Sequence, residues 1–385
     1  MTAVTTDPLV GTARELAATV LARHAGAADR DARFPSESVA ALRDAKLLGA
    51  SAPVELGGSG ASLETLVGIA RALARSCGST AMIWAMHQVQ LHCACRYGAS
   101  SPLLRELLRG AVEDQWLIAS VTSERATGGD IGRSYAAVEV TSDADARVEK
   151  EATTLSYGAD AGAYLLSARR SPHAAPGDQV AVLLRREDVV LSDEGPWQPL
   201  GMRATRSPGY RVRAGFGTWQ IMDTPFHEIA SNAMTPLSHV LWAAVWAGLA
   251  TEAVERATRL ARRRHHGGGP GFDRWSLAAA HRSLAVVDTH LDDGVRRADE
   301  VLAGRAAPTT AFAMRMNTLK IAVSERALTA ALEALRVCGM PGYAETGEYS
   351  IARILRDLHS APLMINNDRL LAANGELALL TRSTA

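Results

Sequence analysis

Three sets of side chains in this 385-residue sequence are of types that do chemistry. His87, His92, Cys93 and Cys95 stand close together and are of metal-ligand type. The stretch that carries them, residues 79–97, has almost no charge, as a helix buried on all sides reads, and no second Cys/His cluster has zinc-site spacing. These residues are therefore expected to pack rather than to bind metal. A second set is the hydroxyls Thr122 and Ser123 at the end of one β-type run and Ser156 after another. Hydroxyls so placed suit the polar edge of a bound ring system, and they equally suit strand ends and turns. The third set is Arg262-Arg263-Arg264-His265-His266, at the end of a helical stretch. Cations there are favoured by the helix dipole, and contact with a phosphate is the alternative.

The elements that must position these groups follow from periodicity. Asp7-Pro8 opens a first helix, Phe34-Pro35-Ser36 a second that stops at Gly49, and residues 62–76 and 79–97 form two more. From Trp116 the texture becomes short β-type runs at 117–121, 136–141, 163–168, 180–184 and 210–214, with Gly, Asp, Pro and Ser between them. After Ile229 the helical period returns over 236–264, 273–302, 310–338 and 347–380, with breaks at Gly267-Gly268-Gly269-Pro270 and at Pro308. Long helices joined by short breaks predict a four-helix bundle. The expected architecture is mainly α with a central β-domain: helices over 1–115, a small β-barrel or sandwich over 116–228, and the bundle over 229–385.

Composition narrows the function classes. Lys plus Arg, 41, balances Asp plus Glu, 41, so no net field draws nucleic acid or anionic lipid. The apolar run 240–250 is shorter than the ~20 residues that span a bilayer. No signal peptide is visible at Met1–Pro8, and four cysteines make no disulfide scaffold. A cytoplasmic protein acting on a small molecule is the expectation.

Six elements, in order, resemble those of the acyl-CoA dehydrogenase family: the Pro53-Val54-Glu55-Leu56-Gly57-Gly58 turn, the Ser123-Glu124-Arg125-Ala126-Thr127-Gly128-Gly129-Asp130 loop, Thr154-Leu155-Ser156-Tyr157-Gly158, Leu200-Gly201-Met202-Arg203-Ala204-Thr205, Cys338-Gly339-Met340-Pro341-Gly342-Tyr343, and Arg353-Ile354-Leu355-Arg356-Asp357. The resemblance implies that fold over nearly the whole chain and FAD as cofactor. Thr122, Ser123, Gly128, Thr154 and Ser156 then lie on the flavin, and Gly339 and Gly342 at its diphosphate across a subunit boundary. A homodimer or homotetramer follows. Arg336 replaces a family glutamine, with a cofactor phosphate or a surface ion pair as its partner. The family's Arg-x-Gln-Phe-Gly is absent, and Arg262–Arg264 stands in its place.

The family's dehydrogenases take an α-proton from an acyl thioester with a carboxylate, whose pKa burial can raise. Counted from Arg356-Asp357, that position falls at Ile365, and the family's second location aligns with Ser238 beside His239. Neither is a carboxylate. The resemblance then leaves Asp368 and Glu376 as displaced bases, with Asp368 alternatively paired to its neighbour Arg369. Asn366 and Asn367 are placed as amides beside the flavin or as helix caps, and His239 as a further candidate. The leading expectation is dehydrogenation of an acyl thioester carried on CoA or acyl carrier protein. The alternatives are a flavin-dependent monooxygenase, which needs no such base, and a non-catalytic flavin-fold subunit. Relatives of the monooxygenase kind use a His near the base position; Met364 stands there, with His359 and His239 nearest in sequence. Trp242 and Trp246, four apart, are placed on one face of the first bundle helix, in core or interface.

Overall fold

In a computed structural model of the chain, residues 7–267 and 271–380 are described; Met1 to Thr6 and the Gly268-Gly269-Pro270 break lie outside them. Asp7 caps α1 (Pro8–Leu16), its Oδ1 accepting the Leu9 N–H at 2.8 Å, while its Oδ2 accepts from the Thr65 hydroxyl at 2.7 Å. One capping carboxylate thus both starts α1 and ties it to α4 (Leu63–Ala74). Between α1 and α4 come α2 (Ala22–Arg30) and α3 (Ser36–Asp44). Next are α5 (Gly78–Gly98), buried on nearly every side, and α6 (Pro102–Glu113).

His87 on α5 binds two other segments. Its Nε2–H donates to the Leu48 carbonyl at 2.8 Å, and its Nδ1 accepts the Ile118 N–H at 3.0 Å. Ile118 begins β1 (Ile118–Val121), so a helix side chain fixes the start of the strand that leads to the Ser123 loop. Cys77, Cys93, Cys95 and Cys338 are free, buried thiols.

Two four-stranded sheets follow. One has the order β1, β4 (Ala163–Arg169), β5 (Gln179–Arg185), β8 (Ile221–Pro225), with β1 and β4 parallel; the other has β2 (Glu139–Val140), β3 (Asp145–Ala152), β7 (Tyr210–Gly217), β6 (Val189–Ser192). The hydrophobic pattern does not reveal β3, whose Asp145-Ala146-Arg147-Val148-Glu149-Lys150-Glu151-Ala152 is rich in charge. Its exposed and buried residues nevertheless alternate strictly, and the inward set includes Lys150.

The remaining chain is helical: α7 (Phe226–Ile229), α8 (Thr235–His266), α9 (Arg274–Leu302), α10 (Thr310–Cys338), α11 (Met340–Tyr343), α12 (Ala352–Leu358) and α13 (Asn367–Leu380). Phe226–His266 is long and apolar enough by composition to cross a membrane, but 83% of its most apolar window is buried inside the protein. α8 packs on α4, α5, α9 and α10, so its apolar surface is covered by the chain itself. Trp246 is wholly buried and Trp242 half-buried against the core of the single chain. The helix expected over 347–380 is instead two helices. Pro362 supplies no N–H, and Ile365 turns the chain through φ +50° before α13 begins.

The β-domain docks on this end of the bundle through two of the sequence motifs. The Asp357 carboxylate accepts the Met202 N–H at 2.6 Å, and a Cβ on Gly201 would come within 1.9 Å of the Arg356 carbonyl oxygen. Burial raises Asp357 to about 6.

Burial lowers His87, His92 and His239 to about 4 from an ordinary 6.5. As pH falls from 6.5 the unfolded chain protonates these groups before the folded one, so stability declines. Each contributes about 1.4 kcal/mol per pH unit within that window, and Asp357 opposes with one such share between about 6 and 4. Three histidines outweigh one aspartate. Urea unfolding is expected to show a steep loss of stability from pH 6.5 to 4.5; a flat profile contradicts it.

Candidate functional site

The hydroxyls picked out at the strand ends form short chains of hydrogen bonds. Ser120 and Thr122 hydroxyls lie 3.0 Å apart, and the Ser123 hydroxyl donates to the Thr154 carbonyl at 2.9 Å. Ser207 donates to Ser156 at 2.8 Å, and Thr205 lies 2.8 Å from Ser207. Thr122, Ser123 and Ser156 are half-buried, whereas Thr154 and Gly128 are exposed. Gly128 and Gly129 both have left-handed backbone, φ +60° and +89°, which lets the loop turn sharply twice.

Two charged residues that sequence inspection did not single out hold this loop from beneath. Glu124 is buried and accepts the Tyr135 N–H at 2.9 Å, the Ala136 N–H at 3.0 Å and the Ser134 hydroxyl at 2.6 Å. The Lys150 ammonium lies 3.8 Å from Glu124 and donates to the Ser167 carbonyl at 2.6 Å. Burial pulls Lys150 down to about 8, against the neighbouring carboxylate. Lys150 was detectable in principle, as a charge in the inward register of an alternating strand.

The bundle meets the loop through α13. Arg369 pairs with Asp130 at 3.1 Å, joining the first turn of α13 to the loop after β1. The four residues proposed as catalytic have different surroundings. Asn366 is exposed, and its Oδ1 caps α13 by accepting the Asp368 and Arg369 N–H groups at 2.8 and 3.2 Å. Asn367 is buried, its Oδ1 accepting from Lys320 at 2.7 Å and its amide donating to Ser324 at 3.1 Å. Asp368 is exposed, as is Glu376. His239 lies inside the bundle with its Nδ1–H on the Met316 carbonyl at 3.1 Å, and burial keeps it neutral with a pKa near 4.

The phosphate candidates have local partners. Arg336 is exposed and pairs with Glu333 one turn back at 3.1 Å. Gly339 adopts φ +62°, ψ −141°, a conformation open to glycine, at the end of α10. A Cβ at Gly342 would lie 2.4 Å from that of Cys338. Arg264, from the basic triplet, donates to the Val337 and Cys338 carbonyls at 3.1 and 3.2 Å and so satisfies the end of α10.

A flavin requires hydrogen-bonding groups at its polar edge and a rigid wall beside its rings. The half-buried Thr122, Ser123 and Ser156, with the backbone of the glycine loop braced by Glu124 and Lys150, meet that requirement.

Comparison with known proteins agrees with this chemistry. The domain family described as acyl-CoA dehydrogenase, N-terminal domain, matches residues 6–109, and acyl-CoA dehydrogenase, C-terminal domain, matches residues 231–364. The amino sugar nitrososynthase DnmZ of Streptomyces peucetius is 27% identical over 366 residues, covering 87% of this chain and 84% of that protein. FMN-bound TdsC of Paenibacillus sp. A11-2 has TM-score 0.84 at 20% identity, covering 98% of both chains, and TdsC is described as a dibenzothiophene monooxygenase. Butyryl-CoA dehydrogenase of Megasphaera elsdenii has TM-score 0.81 at 18% identity, covering 97% of both.

Replacing Ser123 by Leu removes the bond to Thr154 and fills the hydroxyl edge with apolar bulk. The variant is expected to lose bound flavin, read as absorbance near the flavin maximum per chain, with its helical circular dichroism unchanged. Full flavin occupancy in Ser123→Leu rejects this placement.

Proposed function

The chain belongs to the acyl-CoA dehydrogenase family of flavoprotein oxidoreductases, and from that premise we propose that it is a flavin-dependent monooxygenase. The observation that carries this reading is the turn facing the glycine loop, whose one carboxylate, Asp368, is exposed rather than buried. Ile365 is apolar, Asn366 caps a helix, Asn367 is bonded within the bundle, and Asp368 is exposed. The carboxylates of the opposite wall are already engaged, Asp130 with Arg369 and Glu124 with three donors. Abstraction of an α-proton from a thioester needs a base whose lone pair reaches the substrate. Oxygen transfer from a reduced flavin does not.

In this reading Thr122, Ser123 and Ser156 bind the polar edge of the flavin, which we take to be FAD, and the 122–130 backbone covers it. Bound and reduced, the flavin supplies the electrons that activate dioxygen. The chain's own part is to orient that ring system and exclude water. The Arg369–Asp130 pair closes the loop against α13, and the buried Lys150 and Glu124 keep the loop rigid. The breadth of the DnmZ match favours an amine-bearing sugar as the oxidised substrate over an acyl thioester.

Anaerobic mixing separates the two chemistries. The flavin-loaded protein is expected to keep its yellow colour with a panel of acyl-CoA thioesters. With an external flavin reductant and air, it is expected to add one oxygen atom to an amino sugar, read by mass spectrometry. Bleaching by a thioester without reductant would establish dehydrogenation instead, and a protein that takes up neither FAD nor FMN would be a non-catalytic relative.

We also propose a homodimer or homotetramer. Leu332, Met340 and Tyr343, around the end of α10, are large apolar side chains left exposed by a single chain. Light scattering of the flavin-loaded protein is expected to give a multiple of the chain mass, and a strictly monomeric flavin-bound species overturns the proposal.

A further inference from the structure

Ile365 has φ +50°, in the left-handed region. A β-branched side chain there is strained, and such turns normally carry glycine or asparagine. Strain of this kind persists only where surrounding contacts over-determine it, and it concentrates at functional sites. The contact that holds this turn comes from the bundle core. Lys320 on α10 is fully buried, and its ammonium donates to the Ile365 carbonyl and to Asn367 Oδ1, both at 2.7 Å. It lies 5.6 Å from the centre of the Trp246 ring, and no carboxylate pairs with it directly among the described residues. Glu325 acts on it through space, while the Glu325 carboxylate accepts from the Asn367 amide at 3.3 Å. The Asn367 N–H also reaches back to the Pro362 carbonyl at 3.0 Å, closing the turn. Two residues beyond Asn367, Arg369 reaches Asp130 in the glycine loop.

From this chain of contacts we infer that Lys320 is a positioning residue that holds the strained Ile365–Asn367 turn in place, and through Arg369 sets the glycine loop against which flavin binds. A buried ammonium bonded to a main-chain carbonyl makes stronger, shorter hydrogen bonds than a neutral donor, and its burial is otherwise unfavourable. The glycine loop has its own support from Lys150, so Lys320 governs the bundle side alone. The inference rests on the flavoprotein reading only for its consequence at the cofactor. The clamp itself is a property of the chain.

Amide hydrogen exchange on the flavin-free protein reads the clamp directly. Lys320→Met, close in length but without the charge, is expected to speed exchange at residues 363–369 by about tenfold or more, with the α8 amides unchanged. It is also expected to weaken FAD and FMN binding, read by flavin fluorescence, by about the same factor. Adding Ile365→Gly relieves the left-handed strain, and in the Lys320→Met background it is expected to restore flavin affinity most of the way. A lysine that merely filled the core would show no such rescue. Should Lys320→Met fail to fold, Asn367→Ala leaves the ammonium and removes one of its two acceptors, with the same exchange readout. Unchanged exchange at the turn, uniform loss of protection across the bundle, or absence of rescue by Ile365→Gly each overturns the inference. If wild-type protein binds neither flavin, the flavoprotein reading fails while exchange at 363–369 still decides the role of Lys320.

Discussion

Asp357 stands where the N-terminal helices, the β-domain and the bundle converge. Its Oδ1 accepts the Met202 N–H, and a Cβ on Gly78, at the start of α5, would lie 2.8 Å from its Oδ2. Around it Arg353 donates to the Ser76 carbonyl at 2.7 Å, while Arg356 bonds Asp29 at 2.6 Å and the Leu200 carbonyl at 3.2 Å. A carboxylate so buried is unfavourable unless it is hydrogen-bonded; this one accepts the Met202 N–H, while its neighbours Arg353 and Arg356 tie α12 to Ser76, Asp29 and Leu200. The site depends on that junction, because α12 carries the turn that continues into α13. Docking the 200–207 loop on α12 therefore sets where Arg369 meets Asp130, and with it the distance between the two walls of the candidate flavin site.

Charge in this protein works mostly as architecture. Lys150 and Lys320 are both fully buried, and burial lowers both to about 8. Each donates to a main-chain carbonyl, Ser167 in one case and Ile365 in the other, and each lies behind one wall of the site. Such groups add little net stability compared with a well-packed apolar residue, but they specify one arrangement of the backbone they bind. Their placement behind both walls fits a site that must be rigid before its ligands arrive. The histidines follow the same logic. His87 joins α5 to the Leu48 segment through Nε2 and to β1 through Nδ1, and His239 joins α8 to α10.

Hydrophobic period alone determines the order of helices, strands and helices, and the all-round burial of α5, because a helix or strand shows its buried face locally. The motifs in order likewise establish the family and mark the loop carrying Thr122, Ser123 and Gly128. Partnership between distant residues was not legible. Asp357 and Met202, or Lys320 and Ile365, are paired only by the folded backbone, and nothing near any of them in sequence announces the other. The break before α13 was only partly legible: Pro362 marks it, but an isoleucine carries no local signal for a left-handed turn, and this one is held by an ammonium from another helix. β3 escaped because its charges face solvent while a buried lysine sits among its inward residues. Local propensity decides which elements form, whereas the partners of buried charges are chosen by tertiary contact, and in this chain those partners shape the site.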